Sequence, residues 1–281
     1  MSYSINVKGR LLSLEHPVVM GILNVTPDSF FSASRVQSEE ALLASARAML
    51  ASGAEILDVG ACSTRPSGEP VSQEEELRRL HSVLDVLDKH LPQAVVSLDT
   101  FRGKVARECV ASHNVAIIND VSGYEWDDDM FSAVVDLNIP YILTHSVGWA
   151  GEEVAYTHMV PEILSSLASK MWQLRAEGVK DIIVDPGFGF GKTVEQNYEL
   201  LASLPAFAML DAPLLAGLSR KSMITKPLGI SPADALAGTV ALNMVALQKG
   251  ANILRVHDVR EACEVTKLFA LLHIAEQKSM C

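Results

Sequence analysis

Cysteine is scarce in this 281-residue sequence, and its spacing excludes the usual cysteine-based architectures. No pair follows the Cys-x-x-Cys pattern, and no histidine stands at metal-ligand spacing from the four cysteines, which are Cys62, Cys109, Cys263 and Cys281. A structural zinc site and a disulfide framework are therefore not expected. Thiols without such partners are typical of a reducing compartment, so the sequence predicts a cytoplasmic protein.

Long apolar runs are also missing. No segment approaches the ~18–20 uninterrupted apolar residues that cross a bilayer, and the polar stretch from Met1 to Arg10 lacks the apolar core of a signal peptide. Hydrophobic residues still make up 49% of the chain, and charged residues only 20%. This composition predicts a large buried core and no membrane partner.

Positive charge is in short supply. Lysine and arginine together number 23, against 34 aspartates and glutamates, which gives a formal net charge of -11. Neither a nucleic acid nor an anionic membrane is an expected partner, because the mean field of the protein repels phosphate. An anionic substrate requires positive side chains gathered in one place.

Short apolar runs recur along the whole chain and predict its fold class. Eight of them are rich in β-branched residues and lack internal alternation, as expected for parallel strands buried on both faces. They are Val18–Val25, Glu55–Gly60, Ala94–Asp99, Val115–Asp120, Tyr141–His145, Asp181–Asp185, Leu214–Leu218 and Asn252–His257. A helix-like segment follows each run, so we predict an α/β protein, a single (β/α)8 TIM barrel that occupies residues 1–281 as one domain.

The alternative architecture is an open, doubly wound parallel sheet. Its first turn usually carries a glycine-rich dinucleotide fingerprint, and Gly21-Ile22-Leu23-Asn24 is not one. No shift in composition marks a linker or a second domain, so the barrel is favoured.

Several of the predicted helices are marked by their first residues. Ser38 is expected to cap a helix over Ala41–Ala51, and Ser72 with Glu75 forms a capping-box pattern. Pro161 is expected in the first turn of a long helix. Other helices are predicted over Arg102–Ser112, Asp129–Asn138, Val194–Ser203 and Arg260–Gln277.

Polar residues stand at or just past the carboxyl ends of the predicted strands, where a barrel carries its active site. In chain order they are Asn24, Asp58, Asp99, Asn119 with Asp120, His145, Asp185, Lys221, and Arg255 with His257. An apolar core offers such groups no partners, so a polar pocket or a ligand is expected above it. We interpret Asp58 and Asp120 as supports for their loops, and His145 as a hydrogen-bonded packing residue.

Positive side chains gather at the same predicted end of the barrel. Arg65, Lys221, Arg255 and His257 fall at or just beyond strand ends, in the second, seventh and eighth loops. Arg255 and His257 share one side of the last strand by its period of two, so both can reach one anion. An acidic protein can therefore hold a small phosphorylated substrate, provided that these basic residues converge in one mouth.

The glycine-rich stretch Gly187–Thr193 resembles two nucleotide-binding motifs and matches neither. Pro186 stands where a P-loop needs its first glycine, and Lys192 breaks the spacing of a GxGxxG fingerprint. We interpret the stretch as a flexible loop in which Phe190 provides an aromatic contact. The alternative is that its aromatic residues cap the barrel core.

Seven segments of the chain are long and, in combination, highly specific. They are Met20–Phe30, Asp58–Gly60 with Ser63–Pro66, Ser97–Thr100, Ile118–Ser122, Asp185–Lys192, Ser219–Lys221 and Arg255–His257. In this order they resemble the dihydropteroate synthases, and the resemblance runs nearly end to end.

The resemblance implies a transferase of folate biosynthesis. Such an enzyme joins 6-hydroxymethyl-7,8-dihydropterin diphosphate to 4-aminobenzoate and forms 7,8-dihydropteroate and diphosphate. The expected pterin-binding residues are Asp99, Asn119, Asp185 and Lys221, whose acceptors and donor suit the edges of a pterin ring. By family match, Asn24, Arg255 and His257 hold the diphosphate, and Asn24 also binds Mg²⁺.

The expected mechanism is dissociative. Diphosphate leaves first, helped by Mg²⁺ and the cationic residues, and the arylamine then attacks a delocalised pterin methylene cation. No enzyme nucleophile is required. Two loops, Pro27–Phe31 and Ser63–Ser67, look like the mobile lids of the family. The expected aminobenzoate and lid residues are Thr64, Arg65, Pro66, Phe190 and Ser222.

The resemblance also implies a homodimer and a target of sulfonamides. The helix Ala233–Lys249 is apolar nearly all round, which fits barrel packing on one side and a subunit contact on the other.

Three places depart from the family pattern. Gly60-Ala61-Cys62 stands where many members have Gly-Gly-Glu, Ser67 separates the Ser-Thr-Arg-Pro motif from Gly68, and Thr144-His145-Ser146 replaces Met-His-Met. These changes bear on aminobenzoate affinity, lid geometry and the response to sulfonamides. Cys62 lies next to a lid and is a candidate reactive thiol, although isolated thiols are usually inert.

Two other functions fit parts of the pattern. A methyltransferase acting on methyltetrahydrofolate shares the Asp and Asn ring contacts, but it needs neither the Ser-Thr-Arg-Pro lid nor Arg255 and His257 on a diphosphate. A catalytically silent pterin-binding or partner-binding homologue is disfavoured, because the residues for Mg²⁺, diphosphate and lid are retained together.

Overall fold

An antiparallel hairpin and eight parallel strands form the β-structure of the protein. The structure, a computed structural model, describes residues 3–24, 35–62, 71–147 and 154–279. The hairpin consists of β1 (Ser4–Val7) and β2 (Arg10–Ser13). The parallel strands are β3 (Val18–Asn24), β4 (Ile56–Gly60), β5 (Val95–Asp99), β6 (Val115–Asp120), β7 (Tyr141–Thr144), β8 (Ile182–Asp185), β9 (Leu215–Ala216) and β10 (Ile253–Val256).

The eight parallel strands close into a TIM barrel. From β3 to β8 each strand pairs with the next in the sequence, and β10 pairs with both β3 and β9. A parallel bridge between Val184 and Leu214, together with a 2.8 Å hydrogen bond from Val184 N to Pro213 O, links β8 to the segment before β9. The predicted (β/α)8 barrel is therefore confirmed.

Helices follow the barrel strands and cover the outside of the barrel. They are α1 (Arg35–Ser52), α2 (Gln73–His90), α3 (Gly103–Ser112), α4 (Asp128–Leu137), α5 (Met159–Ala176), α6 (Val194–Ala202), α7 (Ser222–Leu228), α8 (Leu236–Gln248) and α9 (Val259–Ser279). Two 3-10 segments occupy Leu204–Leu210 and Pro232–Asp234. Within the described ranges, no helix combines the length and the apolar character needed to cross a membrane.

Most predicted elements coincide with observed ones to within a few residues. The run Val115–Asp120 is observed as β6 without change, whereas β9 covers only two residues of the predicted Leu214–Leu218. Ser72 caps α2, with its hydroxyl accepting from Glu75 N at 3.2 Å, and Pro161 lies in the first turn of α5. The hairpin β1–β2, α7 and the 3-10 segment after α6 had no counterpart among the predicted elements.

The predicted start of the first helix was wrong. Ser38 was expected to cap it, but α1 already begins at Arg35, so Ser38 lies within the helix. Serine and glutamate are common both at the cap and in the first turn, and their order alone does not separate the two positions. The expected last residue of the first strand, Val25, lies outside the described residues.

The inside of the barrel is apolar toward the amino ends of the strands and polar toward their carboxyl ends. One buried cluster joins the hairpin residues Ile5, Val7 and Leu14 to the inner strand residues Val18, Met20, Ile56, Val95, Ile117, Ile142, Ile183, Leu215 and Ile253. Because side chains alternate along a strand, the next inward positions are two residues further on. On β4 to β10, or just past the strand end, they are Asp58, Ser97, Asn119, Thr144, Asp185, Gly217 and Arg255. The hairpin thus packs against the amino ends of the barrel strands, and a layer of polar side chains forms the mouth at their carboxyl ends.

Two larger clusters lie between the strands and the helices. They contain outward strand residues such as Leu57, Leu98 and Leu143, together with buried positions of the surrounding helices. The barrel is therefore filled on its inside and covered on its outside, and the polar layer is held by rigid strands.

Candidate active site

Arg255 lies between two aspartates in the polar layer. Its Nε donates to Asp58 Oδ2 at 2.6 Å, and its Nη2 donates to Asp99 Oδ2 at 2.5 Å. Asn119 Nδ2 also donates to Asp58 Oδ2, at 3.0 Å. We call Arg255, Asp58 and Asp99 the ion cluster. Four strands, β4, β5, β6 and β10, contribute to this network, which crosses the mouth of the barrel.

The interpretation of Asp58 as a loop support was wrong. Asp58 is fully buried, and its carboxylate contacts Arg255 and Asn119. The inward position of Asp58 could have been recognised in the sequence, because Asp58 follows the inward-facing Ile56 by two residues. Its partner Arg255 is 197 residues away along the chain, so no local pattern connects them.

The Asp99 carboxyl has a perturbed pKa. Burial raises the pKa of Asp99 to about 7, although the Arg255 guanidinium acts in the opposite direction. The charges of Asp58, Glu76 and Asp120 act in the same direction as burial. The ion cluster therefore holds more carboxylate than its single arginine neutralises, and Asp99 is the member that titrates near neutrality.

Asp185 and Lys221 are oppositely charged residues that influence each other in the mouth. Asp185 is buried, and its Oδ1 accepts from Gly187 N at 2.8 Å. Burial raises the pKa of Asp185, and Lys221 opposes this shift. Burial lowers the pKa of Lys221 to about 8, and Asp185 opposes that shift in turn. Lys221 Nζ also donates to Phe188 O.

Gly217 lies where these charged groups converge. A Cβ at Gly217 would lie 3.7 Å from Lys221 Nζ, 4.0 Å from Asp185 Oδ2 and 4.0 Å from Arg255 Cβ. A longer side chain at this position would extend among the three charged residues. The glycine therefore keeps Asp185, Lys221 and Arg255 free of an intervening side chain.

The loop after β8 is held in place by a buried lysine. Lys192 Nζ donates to Gly187 O at 2.8 Å and to Phe190 O at 3.0 Å, and it lies 3.4 Å from His145 Nδ1. Asn197 Oδ1 accepts from Gly189 N at 2.7 Å. The loop predicted as flexible is therefore tied to its own carbonyls, to β7 and to α6. The sequence analysis placed Lys192 in a failed nucleotide-binding motif and in a segment of the family resemblance, and it missed this anchoring role.

In the Lys192–His145 contact, burial lowers the pKa of both side chains, which favours their neutral forms. Burial lowers the pKa of Lys192 to about 7. Burial, followed by the nearby Lys192 charge, lowers the pKa of His145 to about 3. His145 is thus a neutral acceptor at ordinary pH, which confirms its interpretation as a hydrogen-bonded packing residue.

The same loop carries Phe190 to the mouth. The Phe190 ring lies 4.9 Å from Lys221 Nζ, within the range of a cation–π contact. Ser222 is the first residue of α7 and directly follows Lys221. The structure therefore brings Phe190 and Ser222 to the side of the mouth that Lys221 occupies.

Asp120 supports its own loop, as predicted. Its carboxylate accepts from Ser122 N and Oγ, from Tyr124 N and from Tyr141 Oη, at distances between 2.6 and 2.8 Å. These bonds fix the turn that follows Asn119, so Asp120 acts on the site through its neighbour.

Asn24 and His257 lie at the ends of β3 and β10. Asn24 is exposed and is the register partner of Gly60. Gly60 lies close to the ion cluster, because a Cβ at this glycine would be 3.1 Å from Asp99 Cβ. His257 Nδ1 lies 3.0 Å from Ser219 Oγ, and His257 N donates to the same hydroxyl. Both residues therefore occupy the rim around the ion cluster.

The remaining predicted residues fall in undescribed segments. Thr64, Arg65 and Pro66, and the proposed lids Pro27–Phe31 and Ser63–Ser67, lie outside the described residues. Of the predicted cationic mouth, Lys221 and Arg255 are both described, and each faces a carboxylate. Cys62 is half-buried, and burial raises the pKa of its thiol, which opposes the idea of a reactive thiolate.

A closed (β/α)8 barrel with charged side chains at the carboxyl ends of its strands defines an enzyme that acts on a small molecule. A family model described as "Pterin binding enzyme" matches residues 20–257. The chain belongs to this family and, within it, to the dihydropteroate synthases, which are transferases.

Three relatives document this membership. The dihydropteroate synthase of Bacillus subtilis (strain 168) is 38% identical over 267 residues, covering 94% of this chain and 92% of the relative. The structure of Xanthomonas albilineans dihydropteroate synthase in complex with 7,8-dihydropteroate is similar with a TM-score of 0.86 and 36% identity, covering 96% of this chain and 99% of that one. A Yersinia pestis dihydropteroate synthase structure with a sulfonamide drug complex has a TM-score of 0.89 and 34% identity, with coverage of 96% and 99%.

Proposed function

We propose that this chain condenses 6-hydroxymethyl-7,8-dihydropterin diphosphate with 4-aminobenzoate, forming 7,8-dihydropteroate and diphosphate for folate biosynthesis. The observation that carries the proposal is the convergence of Asp185 Oδ2, Lys221 Nζ and Arg255 Cβ to within 4.0 Å of the Cβ position of Gly217. A ligand at this point meets a buried carboxylate, a lysine and an arginine. The ligand named for the Xanthomonas albilineans relative, 7,8-dihydropteroate, is the product of this reaction.

The pterin ring is assigned to the buried part of the mouth. A pterin presents a donor edge similar to an amidine, and the Asp185 carboxylate accepts from such an edge. Asn119 and Asp99 reach other ring atoms, and Lys221 donates to the ring's acceptors. Burial supports this assignment, because Asp185 and Asn119 are almost fully enclosed and a flat ring excludes water from them.

The diphosphate is assigned to the rim. Asn24 ends β3, which pairs with the strand that carries Arg255, and His257 directly follows that same strand. An arginine and an imidazole at one strand end are suited to an anion. Arg255 and His257 thus supply donors where the leaving group is assigned.

The donor set fits Mg²⁺ bound mainly by the substrate. Within the described ranges, no group of three or more His, Cys, Asp or Glu side chains is placed to hold a metal ion. The carbonyl oxygen of Asn24 is a hard ligand of the kind Mg²⁺ accepts when phosphate oxygens and water complete its shell. When bound there, Mg²⁺ supplies positive charge to the leaving oxygens.

The mechanism we propose is dissociative. The bond between the pterin methylene and the diphosphate oxygen breaks first, and Arg255 and His257 stabilise the charge that develops on the departing oxygen. The delocalised pterin cation is then attacked by the arylamine nitrogen, which finally loses its proton. Phe190 and Ser222 border the aminobenzoate side, and Thr64, Arg65 and Pro66 are assigned to the lid that excludes water.

We also propose that sulfonamides bind in the aminobenzoate position. These drugs carry an arylamine like that of the substrate. We therefore expect them to bind on the side of the mouth where Lys221 and Phe190 lie. Of the unusual residues, Cys62 precedes the assigned lid and Ser67 is its last residue, and both affect this affinity more than they affect the chemistry of the pterin.

A homodimer is proposed from the outer surface of the last helices. Leu268 and Leu271 of α9 are 59% and 65% exposed, and Ile274 is 49% exposed. Apolar side chains clustered on one surface helix indicate a contact surface. Together with α8, whose sequence is apolar on most sides, they form the proposed subunit contact, which sedimentation analysis would detect as a mass of two chains.

One assay tests the reaction. The chain is incubated with the pterin diphosphate, and diphosphate release is measured with and without 4-aminobenzoate and with and without Mg²⁺. Release that depends on both supports the proposal. Pterin binding without release would indicate a silent homologue, and methyl transfer from methyltetrahydrofolate would indicate the alternative enzyme.

A further inference from the structure

Asp58 is a buried carboxylate that the proposed function leaves without a role. Its Oδ2 accepts from Arg255 Nε at 2.6 Å and from Asn119 Nδ2 at 3.0 Å, and the residue is 0% exposed. Arg255 is assigned to the diphosphate and Asn119 to the pterin ring. A single carboxylate oxygen therefore connects the two parts of the site that bind the two parts of one substrate.

The two aspartates that contact Arg255 are not equivalent. The Asp58 side chain is fully buried, whereas the Asp99 side chain is 14% exposed and contacts the opposite end of the guanidinium at Nη2. A guanidinium is planar, so a partner that fixes Nε also fixes the plane in which the Nη groups lie. Asp58 is thus the inner, fixed partner, and Asp99 is the outer one.

The energetic costs of losing these partners also differ. Removing the fully buried partner of a buried charge leaves that charge without compensation, which is strongly unfavourable. The outer contact lies nearer the rim, where an incoming anion can replace the Asp99 carboxylate on Nη2. The Nε contact with Asp58 has no such replacement.

We propose that Asp58 is a positioning residue that holds Arg255 and Asn119, while the Nη end of Arg255 exchanges Asp99 for the anionic group of the substrate. The inference rests on the proposed function, because it takes a diphosphate and a pterin ring as the two ligands. Asp58 itself touches neither ligand and acts through its two partners.

The test compares Asp58→Asn with Asp99→Asn, because both variants replace a carboxyl group that contacts the same guanidinium with a neutral amide. Calorimetry with the full chain measures binding of inorganic pyrophosphate with Mg²⁺ and, separately, of 6-hydroxymethylpterin. If the aspartates acted only through their charge, both variants would bind pyrophosphate more tightly. We expect the two variants to differ in direction.

Asp58→Asn is expected to weaken pyrophosphate and pterin binding by about tenfold each, because Arg255 and Asn119 lose a charge-assisted acceptor. Asp99→Asn is expected to strengthen pyrophosphate binding severalfold, because the Nη end is released. In an Arg255→Lys background, Asp58→Asn should add no further loss of pyrophosphate affinity, since the contact through Nε no longer exists.

A stability control separates positioning from folding. Leu87 is buried against the outer side of the barrel, in the last turn of α2, so Leu87→Ala should lower the Tm and leave both affinities unchanged.

Unchanged or tighter pyrophosphate binding in Asp58→Asn would overturn the inference, as would a Tm loss with both affinities intact. A wild-type chain that binds neither ligand would overturn the proposed function as well. Normal ligand binding without product formation would count against the proposed function alone.

Discussion

Thr144 and Asp185 are register partners at the ends of β7 and β8, and both lie on the inner side of the barrel. Asp185 accepts from Gly187 N, whereas Thr144 Oγ1 is buried without a hydrogen-bond partner among the described residues. A buried hydroxyl without a partner costs about 1–3 kcal/mol. The hydroxyl beside Asp185 is therefore available to a ligand that occupies the pterin position.

Replacement of this hydroxyl should weaken ligand binding without weakening the fold. We expect Thr144→Val to lower the affinity for 6-hydroxymethylpterin by about fivefold, because one neutral hydrogen bond of roughly 1 kcal/mol is lost. The free energy of unfolding should stay constant or rise, because an unpaired buried polar atom is removed. Calorimetry and urea denaturation measure the two quantities. An unchanged pterin affinity would mean that the hydroxyl does not face the ligand.

Lys192 should give the protein a pH-dependent stability. Its pKa is lowered from 10.5 to about 7 by burial, so the unfolded chain binds more protons than the folded chain between these values. The free energy of unfolding therefore rises with pH from about 7 toward 10.5, as the cost of burying the charged form disappears.

The matched variant for this prediction is Lys192→Met. It keeps the aliphatic length but leaves the carbonyls of Gly187 and Phe190 without their donor, at a cost of about 1–3 kcal/mol. Denaturation at a series of pH values should show that the difference between wild type and variant increases with pH. A difference that is constant from pH 7 to 10 would contradict the shifted pKa.

We expect a side chain at Gly187 to be far more destabilising than one at Gly250, a glycine with similar backbone geometry. Gly187 has φ +78, and a Cβ there would lie 1.8 Å from His145 O. Gly250 has φ +101, but nothing lies within 4 Å of its Cβ position. We expect Gly250→Ala to cost about 1 kcal/mol from the backbone alone. Gly187→Ala should cost several times more and should also lower the affinity for pterin, since it displaces the loop after Asp185. Equal losses in the two variants would contradict this.

The two described cations of the mouth should be essential for turnover. We expect Lys221→Ala or Arg255→Ala to lower kcat/KM by about 100-fold or more, the size of effect seen when one electrostatic donor is removed from a transition state. Lys180→Ala, at an exposed lysine before β8, is the control and should retain full activity. Turnover near the wild-type rate in both mouth variants would contradict the assigned roles.

The sequence predicts the barrel well because its strands are buried on both faces. Such strands appear as apolar runs, and Val115–Asp120 is recovered without change. Their carboxyl ends converge by topology, so the residues that end them could be assigned to one mouth. The period of two also places Asp99, Asn119 and Asp185 on the inner side before any coordinates are considered.

The contacts within the mouth could not be predicted in the same way. Asp58 and Arg255 are brought together only when the barrel closes, and an aspartate after a strand is equally typical of a turn. Lys192 becomes an anchor because its amine is buried among carbonyls, which depends on the path of the folded loop. The hairpin β1–β2 was missed because its strands are partly exposed to solvent and so do not appear as continuous apolar runs.

That hairpin has a kinetic consequence. Ile5, Val7 and Leu14 pack against the inner strand residues at the end of the barrel opposite the polar mouth, so we expect a ligand of Asp185 to arrive through the rim. In the proposed assignment, the pterin position is the deeper one, and the aminobenzoate position beside Phe190 and Ser222 lies above it. This assignment predicts that the pterin binds before the arylamine and that the joined product leaves through the same rim.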